Sequence, residues 1–463
     1  VATAALGESA AVPPPGGAAL LALSAGPSAA LVTTLLVLAI ALGAAGLLGA
    51  WRALRAGWAP RVTRLICASA IAVTALVLVP VTGSADPQSY AAYGQMVLDG
   101  LDPYTTTPAQ LGGPYGAAVE PPWENTPSVY GPIATAEQAA AARLAANNPG
   151  RAVFYLTLVN GLAFLAVGAL LQRFARTPKE RARAALLWSL NPLLLFELVA
   201  GAHVDTLVVA GAVAALWAAR RSTIGGALIT GALAGTACAI KASAALVGAG
   251  LAWTMRRNGK RLTALAAGAA AVLLPAYAIA GPHALDQLRN ASNYVSFAVP
   301  WRLVTGGLDR LLGEPTSRPA LRFAGLVAIL ALAWLFTRGL PGRNDQERAA
   351  VRTCAVLTLA WVFAATYMLP WYGGLAWALL ALLPASTFDL LLLAHTTVLA
   401  LAYLPGRIGL LDGPMRTALD AWKSGASPVL LLAVALGAAY AARRAAPRIG
   451  HRATRTEVSS PLG

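Results

Sequence analysis

Apolar runs of membrane-crossing length, separated by short arginine-rich loops, recur along almost the whole chain. A helix needs roughly 20 such residues to cross about 30 Å of hydrocarbon. Lipid offers the backbone no hydrogen bonds, so only helices or closed barrels can span it, and runs this long and continuously apolar point to helices. The expectation is an all-α, polytopic membrane protein. Composition decides one further point: with 57% hydrophobic and only 12% charged residues, the chain has too little charge to clothe a soluble surface. The formal charge of +16 would suggest nucleic acid if it formed a basic face. Here the arginines sit between apolar runs, as in Arg173, Arg176, Arg181 and Arg183, or Arg256, Arg257 and Arg261. That is the positive-inside pattern, so the charge encodes orientation and no nucleic-acid partner is expected.

Following the basic loops gives about thirteen crossings in a single integral membrane domain over residues 1–463. Val1 to Ser24 reads as an outer lead-in without a basic leader region. Spans from about Ala29 to Trp51 and onward to Thr82 bracket an inner loop with Arg52, Arg55, Arg61 and Arg64. A long outer segment follows, Gly83 to Gly150 (83–150), rich in Pro, Gly, Tyr and acidic residues. A span from Phe154 leads to the Arg173–Arg183 loop. Two more, Ala184 to Ala200 and Thr206 to Ala219, flank the outer turn at His203. Gly225 to Met255 is too long for one span and short for two, while basic residues bracket both its ends. Two short helices meeting near Lys241 satisfy this if the break lines a polar cavity. A second outer loop covers 281–319, Leu321 to Thr337 returns, and Val351 to Leu369 exits at Pro370-Trp371-Tyr372. Two further crossings reach Pro405, and a last one from Pro428 ends in a basic inner tail, 443–463.

The three cysteines, Cys67, Cys238 and Cys354, lie in apolar stretches and read as small hydrophobes. There is no glycine-rich dinucleotide fingerprint, P-loop, HExxH pair or Cys/His metal spacing, so no metal ligand is assigned and no cofactor is called for.

Chemistry concentrates on the outer side. Asp86, in Asp86-Pro87-Gln88-Ser89-Tyr90-Ala91-Ala92-Tyr93, places a carboxylate just beyond a span beside the aromatics Tyr90 and Tyr93, and it is the candidate catalytic residue. Its bland alternative is a helix cap with proline at the first helical position. Asp102-Pro103-Tyr104 and Trp123-Glu124-Asn125-Thr126-Pro127 leading to Tyr130 form candidate sugar contacts, against a structural turn for Asp102. His203 and Asp205 could hold a phosphate or hydroxyl, against a cap for Asp205. Lys241 is the only one of four lysines with apolar sequence on both sides, where a cation is costly and marks function unless it snorkels. Trp371 and Tyr372 read as interfacial anchors or as substrate contacts. His395 reads as a packed core residue, and Asn290-Ala291-Ser292 matches a glycosylation sequon that is common by chance.

These strings, in this order, resemble the actinobacterial polyprenol-phosphomannose-dependent alpha-1,6-mannosyltransferases of the multi-span GT-C class. The resemblance rests on Asp86 to Gly94, Gly100 to Tyr104, Trp123 to Pro127, Tyr130-Gly131-Pro132, His203-Val204-Asp205 and Lys241. Pro87, and the Pro-Ser-Val-Tyr before Gly131, depart from the family pattern. The resemblance implies a plasma-membrane enzyme of the cell envelope with an extracytoplasmic site. It implies a polyprenol-phosphate-mannose donor, a mannan glycolipid acceptor of lipomannan type, and inversion with Asp86 as base. Lys241, His203, Asp205, Tyr90 and Tyr93 would then serve the donor phosphate. Asp102, Tyr104, Trp123, Glu124, Tyr130, Trp371 and Tyr372 would line the acceptor, with a divalent metal allowed but not required. One carboxylate suffices, because a phosphate leaving group needs no acid, in contrast to the carboxylate pair of most glycosidases. Three rivals stand beside this reading: a GT-C enzyme using another lipid-linked sugar such as arabinofuranose or making an alpha-1,2 linkage, a lipid or sugar transporter or flippase, and a non-catalytic scaffold.

Overall fold

The computed structural model describes residues 1–14, 19–291, 293–342, 345 and 348–445, and among these every regular element is helical. In chain order the principal helices begin with α1 (Ala29–Arg55) and α2 (Val62–Val77), then α3 (Asp86–Leu98) and α4 (Pro132–Leu144) of the outer segment. They continue with α5 (Pro149–Phe174), α6 (Pro178–Ala200), α7 (Asp205–Ala219), α8 (Ile224–Ile240), α9 (Ala245–Met255) and α10 (Gly259–Ala280). The second outer loop carries α11 (His283–Ala291) and α12 (Arg302–Leu312). Then come α13 (Glu314–Gly339), α14 (Ala349–Ala364), α15 (Gly374–Ala381), α16 (Thr387–Ala402), α17 (Gly413–Ala421) and α18 (Ser427–Ala445).

Among the described residues six helical stretches are long and apolar enough to cross a membrane, and six shorter apolar helices accompany them. The segment expected to cross after Tyr372 contains only the eight-residue α15, about 12 Å of helix. It is almost wholly buried, so it packs inside the protein instead of spanning lipid by itself. The return helix α13 starts at Glu314, ahead of the expected Leu321, with Gly313 at φ +73° opening it and Pro319 inside it. The sequon falls on Ser292, outside the described residues, as does most of the expected basic tail.

At the arginine-rich end one ion pair ties distant helices together. Arg183 was expected to be one more loop charge, yet its side chain is only 7% exposed. Its guanidinium donates to both carboxylate oxygens of Asp389 at 2.9 and 2.7 Å, and to the carbonyls of Leu380 and Leu383, each at 2.9 Å. The Trp51 indole N–H adds a 2.9 Å bond to Asp389, so α1, α6, α15 and α16 meet at one satisfied cluster. Removing one partner strands a buried charge, which costs about 3–5 kcal/mol. Arg183→Leu is therefore expected to lower the thermal unfolding midpoint of the purified protein sharply, and adding Asp389→Asn to recover part of the loss. An unchanged midpoint for Arg183→Leu would show that the cluster carries no stability.

Candidate active site

The outer segment is folded. Its helices α3 and α4 pack closely because Gly94 lets the backbones meet: a Cβ there would lie 2.1 Å from the Gln138 carbonyl oxygen. Gly131 does the same against α8, its amide donating to the Ile240 carbonyl at 2.9 Å, and its absent Cβ would stand 2.1 Å from the oxygen of Ala239. The chain breaks where the basic brackets and the lysine suggested. Lys241 is extended, φ −155° and ψ 132°, between α8 and the turn leading to α9. The freed Ile240 carbonyl is thus satisfied by the 83–150 segment, as a break in an apolar helix pair requires. A second tight turn, with Ala202 at φ +49°, presents His203 and Asp205, and the Asn160 amide holds the Ala202 carbonyl at 3.0 Å.

Asp86 opens α3, but its carboxylate caps nothing. The Asp86 amide donates to Ser84 Oγ at 3.1 Å, and the N-cap residue of α3 is Ala85. The carboxylate, 20% exposed, accepts from the Tyr90 hydroxyl at 3.4 Å and faces His203 Nδ1 at the same distance. The His203 approach is a close contact without hydrogen-bond alignment, since Nδ1 has no hydrogen-bond partner among the described residues. The imidazole is buried and stacks on Trp371 with ring centres 3.6 Å apart and 12° between planes. Trp371 is thus a support for His203 and not a lipid-facing anchor.

Asp205 likewise does not cap α7. Both its oxygens accept from Lys241 Nζ, at 2.9 and 2.8 Å. The ammonium also lies 3.9 Å from the Tyr372 ring centre and 5.9 Å from that of Tyr130, a cation–π arrangement favoured by desolvation. Lys241 therefore does not snorkel. Tyr130 closes the circle, donating to the Tyr90 hydroxyl at 3.3 Å with the rings edge to face at 4.9 Å. Burial first, and the negative charge of Asp86 among the lesser causes, push both phenols well above their ordinary range, so both stay neutral donors.

The remaining candidates stand further out. Asp102 accepts from the Tyr104 amide at 2.8 Å, a turn-forming bond. The Tyr104 hydroxyl pairs with Thr135 at 2.9 Å inside the segment. Tyr93 donates to the Thr126 carbonyl at 2.8 Å and so ties α3 to the Trp123–Asn125 turn. Trp123 is exposed, and Glu124 accepts from the Asn125 amide at 3.1 Å. His395 is buried against Phe363. Sequence reasoning missed Tyr294, Trp361 and Tyr367, which extend the aromatic wall. Tyr367 lies 6.2 Å from Tyr372 and 5.8 Å from Tyr294, and Trp361 stacks on Tyr372 at 5.7 Å, all as ring-centre distances. The aromatic density of Tyr367 to Tyr372 was the available signal. Among the described residues no group of three or more His, Cys, Asp or Glu is placed to hold a metal.

Fold and site together define an all-α polytopic membrane protein with a carboxylate-centred, aromatic-walled site at one end of its helix bundle. The chain belongs to the alpha-(1->6)-mannopyranosyltransferase family: the family's N-terminal domain matches residues 1–257, which include Asp86, His203, Asp205 and Lys241. It is 30% identical over 330 residues to alpha-(1->6)-mannopyranosyltransferase A of Mycobacterium tuberculosis, covering 64% of this chain and 60% of that protein. The protein of the same name from Corynebacterium glutamicum is 24% identical over 336 residues, 62% of this chain and 64% of its own length. The chain thus spans less than two thirds of either relative. No solved structure matches significantly.

Two outcomes follow from this geometry. Lys241→Met strands the Asp205 carboxylate and is expected to cost about 3–5 kcal/mol, whereas Lys241→Met with Asp205→Asn recovers most of that stability; chemical denaturation of the purified proteins checks both. Glu137, on α4, has its carboxyl raised to about 8 by burial. Because the unfolded chain ionises near 4.5 while the folded one holds its proton to about 8, this group lowers stability as pH rises through that window. Glu137→Gln is therefore expected to raise the melting temperature at pH 8.5 and to leave it unchanged at pH 4, read from paired melting curves.

Proposed function

We propose that the chain transfers mannose from polyprenol-phosphate-mannose to the 6-hydroxyl of an alpha-1,6-mannan core carried on a glycolipid, at the extracytoplasmic face of the plasma membrane. One observation carries the reading: the Asp86 carboxylate, uncommitted to any cap, stands at the edge of the site between a buried imidazole and a neutral phenol. The names of the relatives support the sugar and the linkage.

In this mechanism an oxygen of Asp86 takes the proton of the acceptor hydroxyl as that hydroxyl attacks the anomeric carbon. The bond from that carbon to the phosphate oxygen breaks on the opposite face. A beta-linked donor then gives an alpha product, and polyprenyl phosphate leaves with the bonding electron pair, needing no proton. Tyr90 and His203 orient the carboxylate. His203 in this role is a positioning residue on the Asp86 side, away from the phosphate. Lys241, already engaged by Asp205, supplies positive potential and N–H donors for charge developing on the departing phosphate. Tyr130, Tyr372, Tyr367 and Tyr294 would offer ring faces to sugar. Trp123, Glu124, Tyr93, Asp102 and Tyr104 would act by holding the outer segment in shape.

The test is transfer from synthetic polyprenol-phosphomannose to a short alpha-1,6-mannoside by purified protein in detergent, where a transporter has no second side to deliver to. Asp86→Asn, at an unchanged melting temperature, is expected to reduce turnover by about 10²–10⁴-fold. His203→Gln is expected to lower kcat with little change in KM. Full activity in Asp86→Asn would move the base elsewhere, and no transfer by the wild type with this donor, but transfer with a lipid-linked pentose, would replace mannose.

A further inference from the structure

The opposite end of the bundle holds a cavity of about 330 Å³, inside the range of ligand sites. It lies where α1, α5 and α7 end and α6 begins, whereas Asp86 faces His203, just beyond the far end of α6. Its lining has two halves. Trp51, Phe174 and Leu383 contribute to an apolar floor, and Arg55, Lys179 and Arg220 stand on the rim.

The other charges around this cavity are already engaged. Arg183 is taken by Asp389. Glu180, also in the lining, accepts from Arg348 at 2.8 Å and from the Arg176 amide at 2.7 Å. Asp345 faces Arg348 at 3.4 Å and Arg176 at 3.7 Å. Arg55, Lys179 and Arg220 have no carboxylate partner among the described residues. Arg55 lies over Trp51, at 4.9 Å from the ring centre, and Arg220 over Trp217 and Phe174, at 4.4 and 5.6 Å. Those ring contacts hold two of the cations at the edge of the apolar floor without neutralising them.

A free inorganic anion would leave the floor unused, and a neutral hydrocarbon would leave three cations uncompensated. An amphiphile with a phosphate at one end matches both halves. We infer that this cavity is a binding site for an anionic phospholipid, its phosphate between Arg55, Lys179 and Arg220 and the start of its acyl chain on the Trp51 and Phe174 floor. The site is separate from the transfer chemistry and does not rest on it. Its role is to fasten the ends of α1, α5, α6 and α7 together through a lipid of the leaflet that the basic loops face.

The experiment uses the full chain in phosphatidylcholine nanodiscs with and without phosphatidylglycerol, reading melting temperature and, by native mass spectrometry after delipidation, retained lipid. Wild type is expected to gain melting temperature from phosphatidylglycerol and to retain it preferentially. Arg55→Gln, Lys179→Gln and Arg220→Gln combined, all at exposed positions, are expected to lose that preference by about fivefold for each cation removed. A control carrying Arg256→Gln, Arg257→Gln and Lys260→Gln removes equal charge from a different basic loop and is expected to keep it. Equal loss in the control would reduce the effect to diffuse surface charge and overturn the site. Full retention in the cavity variant would overturn it too, and a matching shift from inorganic phosphate in phosphatidylcholine alone would assign the cavity to a soluble anion instead.

Discussion

The ion pair between Lys241 and Asp205 is the interaction on which the site depends. A lysine flanked by apolar sequence and largely buried calls for a partner, and Asp205 meets it with both oxygens. That pairing lets α8 end in the apolar interior, and the end of α8 in turn leaves the Ile240 carbonyl for the amide of Gly131 to satisfy. The outer segment is thereby seated on the bundle by the same break that holds the lysine. Its other end starts at Asp86, so a fixed ion pair and a fixed backbone bond together determine where the Asp86 carboxylate can stand.

Around that carboxylate the protein uses burial to separate roles. His203 and Tyr90 are buried, Tyr130 is half-buried, and they keep their orientation through stacking and edge-to-face contacts, while the Asp86 carboxylate stays partly open. A group that must accept a proton from a substrate needs access, and the groups that aim it need rigidity. The aromatic wall reaches the site from four parts of the chain: the outer segment, the second outer loop, the end of α14, and the turn before α15.

Much of this was readable in advance because charge in an apolar context is a strong signal. The arginine loops marked helix ends, Lys241 marked the break, and the acidic, aromatic content of 83–150 marked a segment with more to do than connect. What sequence could not supply was partnership. Nothing local shows that Asp205 faces Lys241, that Trp371 supports His203, or that Tyr367 and Tyr294 share a wall with Tyr130, because each contact joins residues far apart in the chain. Local rules also misjudged individual side chains. Asp at a helix start suggested caps for Asp86 and Asp205, and an Arg in a basic loop suggested solvent for Arg183, yet tertiary partners decided Asp205 and Arg183, and Asp86 turns to Tyr90 one helical turn on and to His203. Asp102 followed its local rule because its partner, the Tyr104 amide, is two residues away.

The two buried ion pairs also differ in how the growing chain must meet them. Asp205 and Lys241 are 36 positions apart, one hairpin's worth of sequence, and the carboxylate is synthesised first. The partner of Lys241 is therefore already in the chain when the lysine is made, and the pair can form within the hairpin of α7 and α8. Arg183 precedes Asp389 by 206 positions, and its guanidinium must wait near water until almost the whole bundle has been made. The arginine-rich end thus locks only once Asp389 has been made, and His203 waits in the same way for Trp371, so both ends close late.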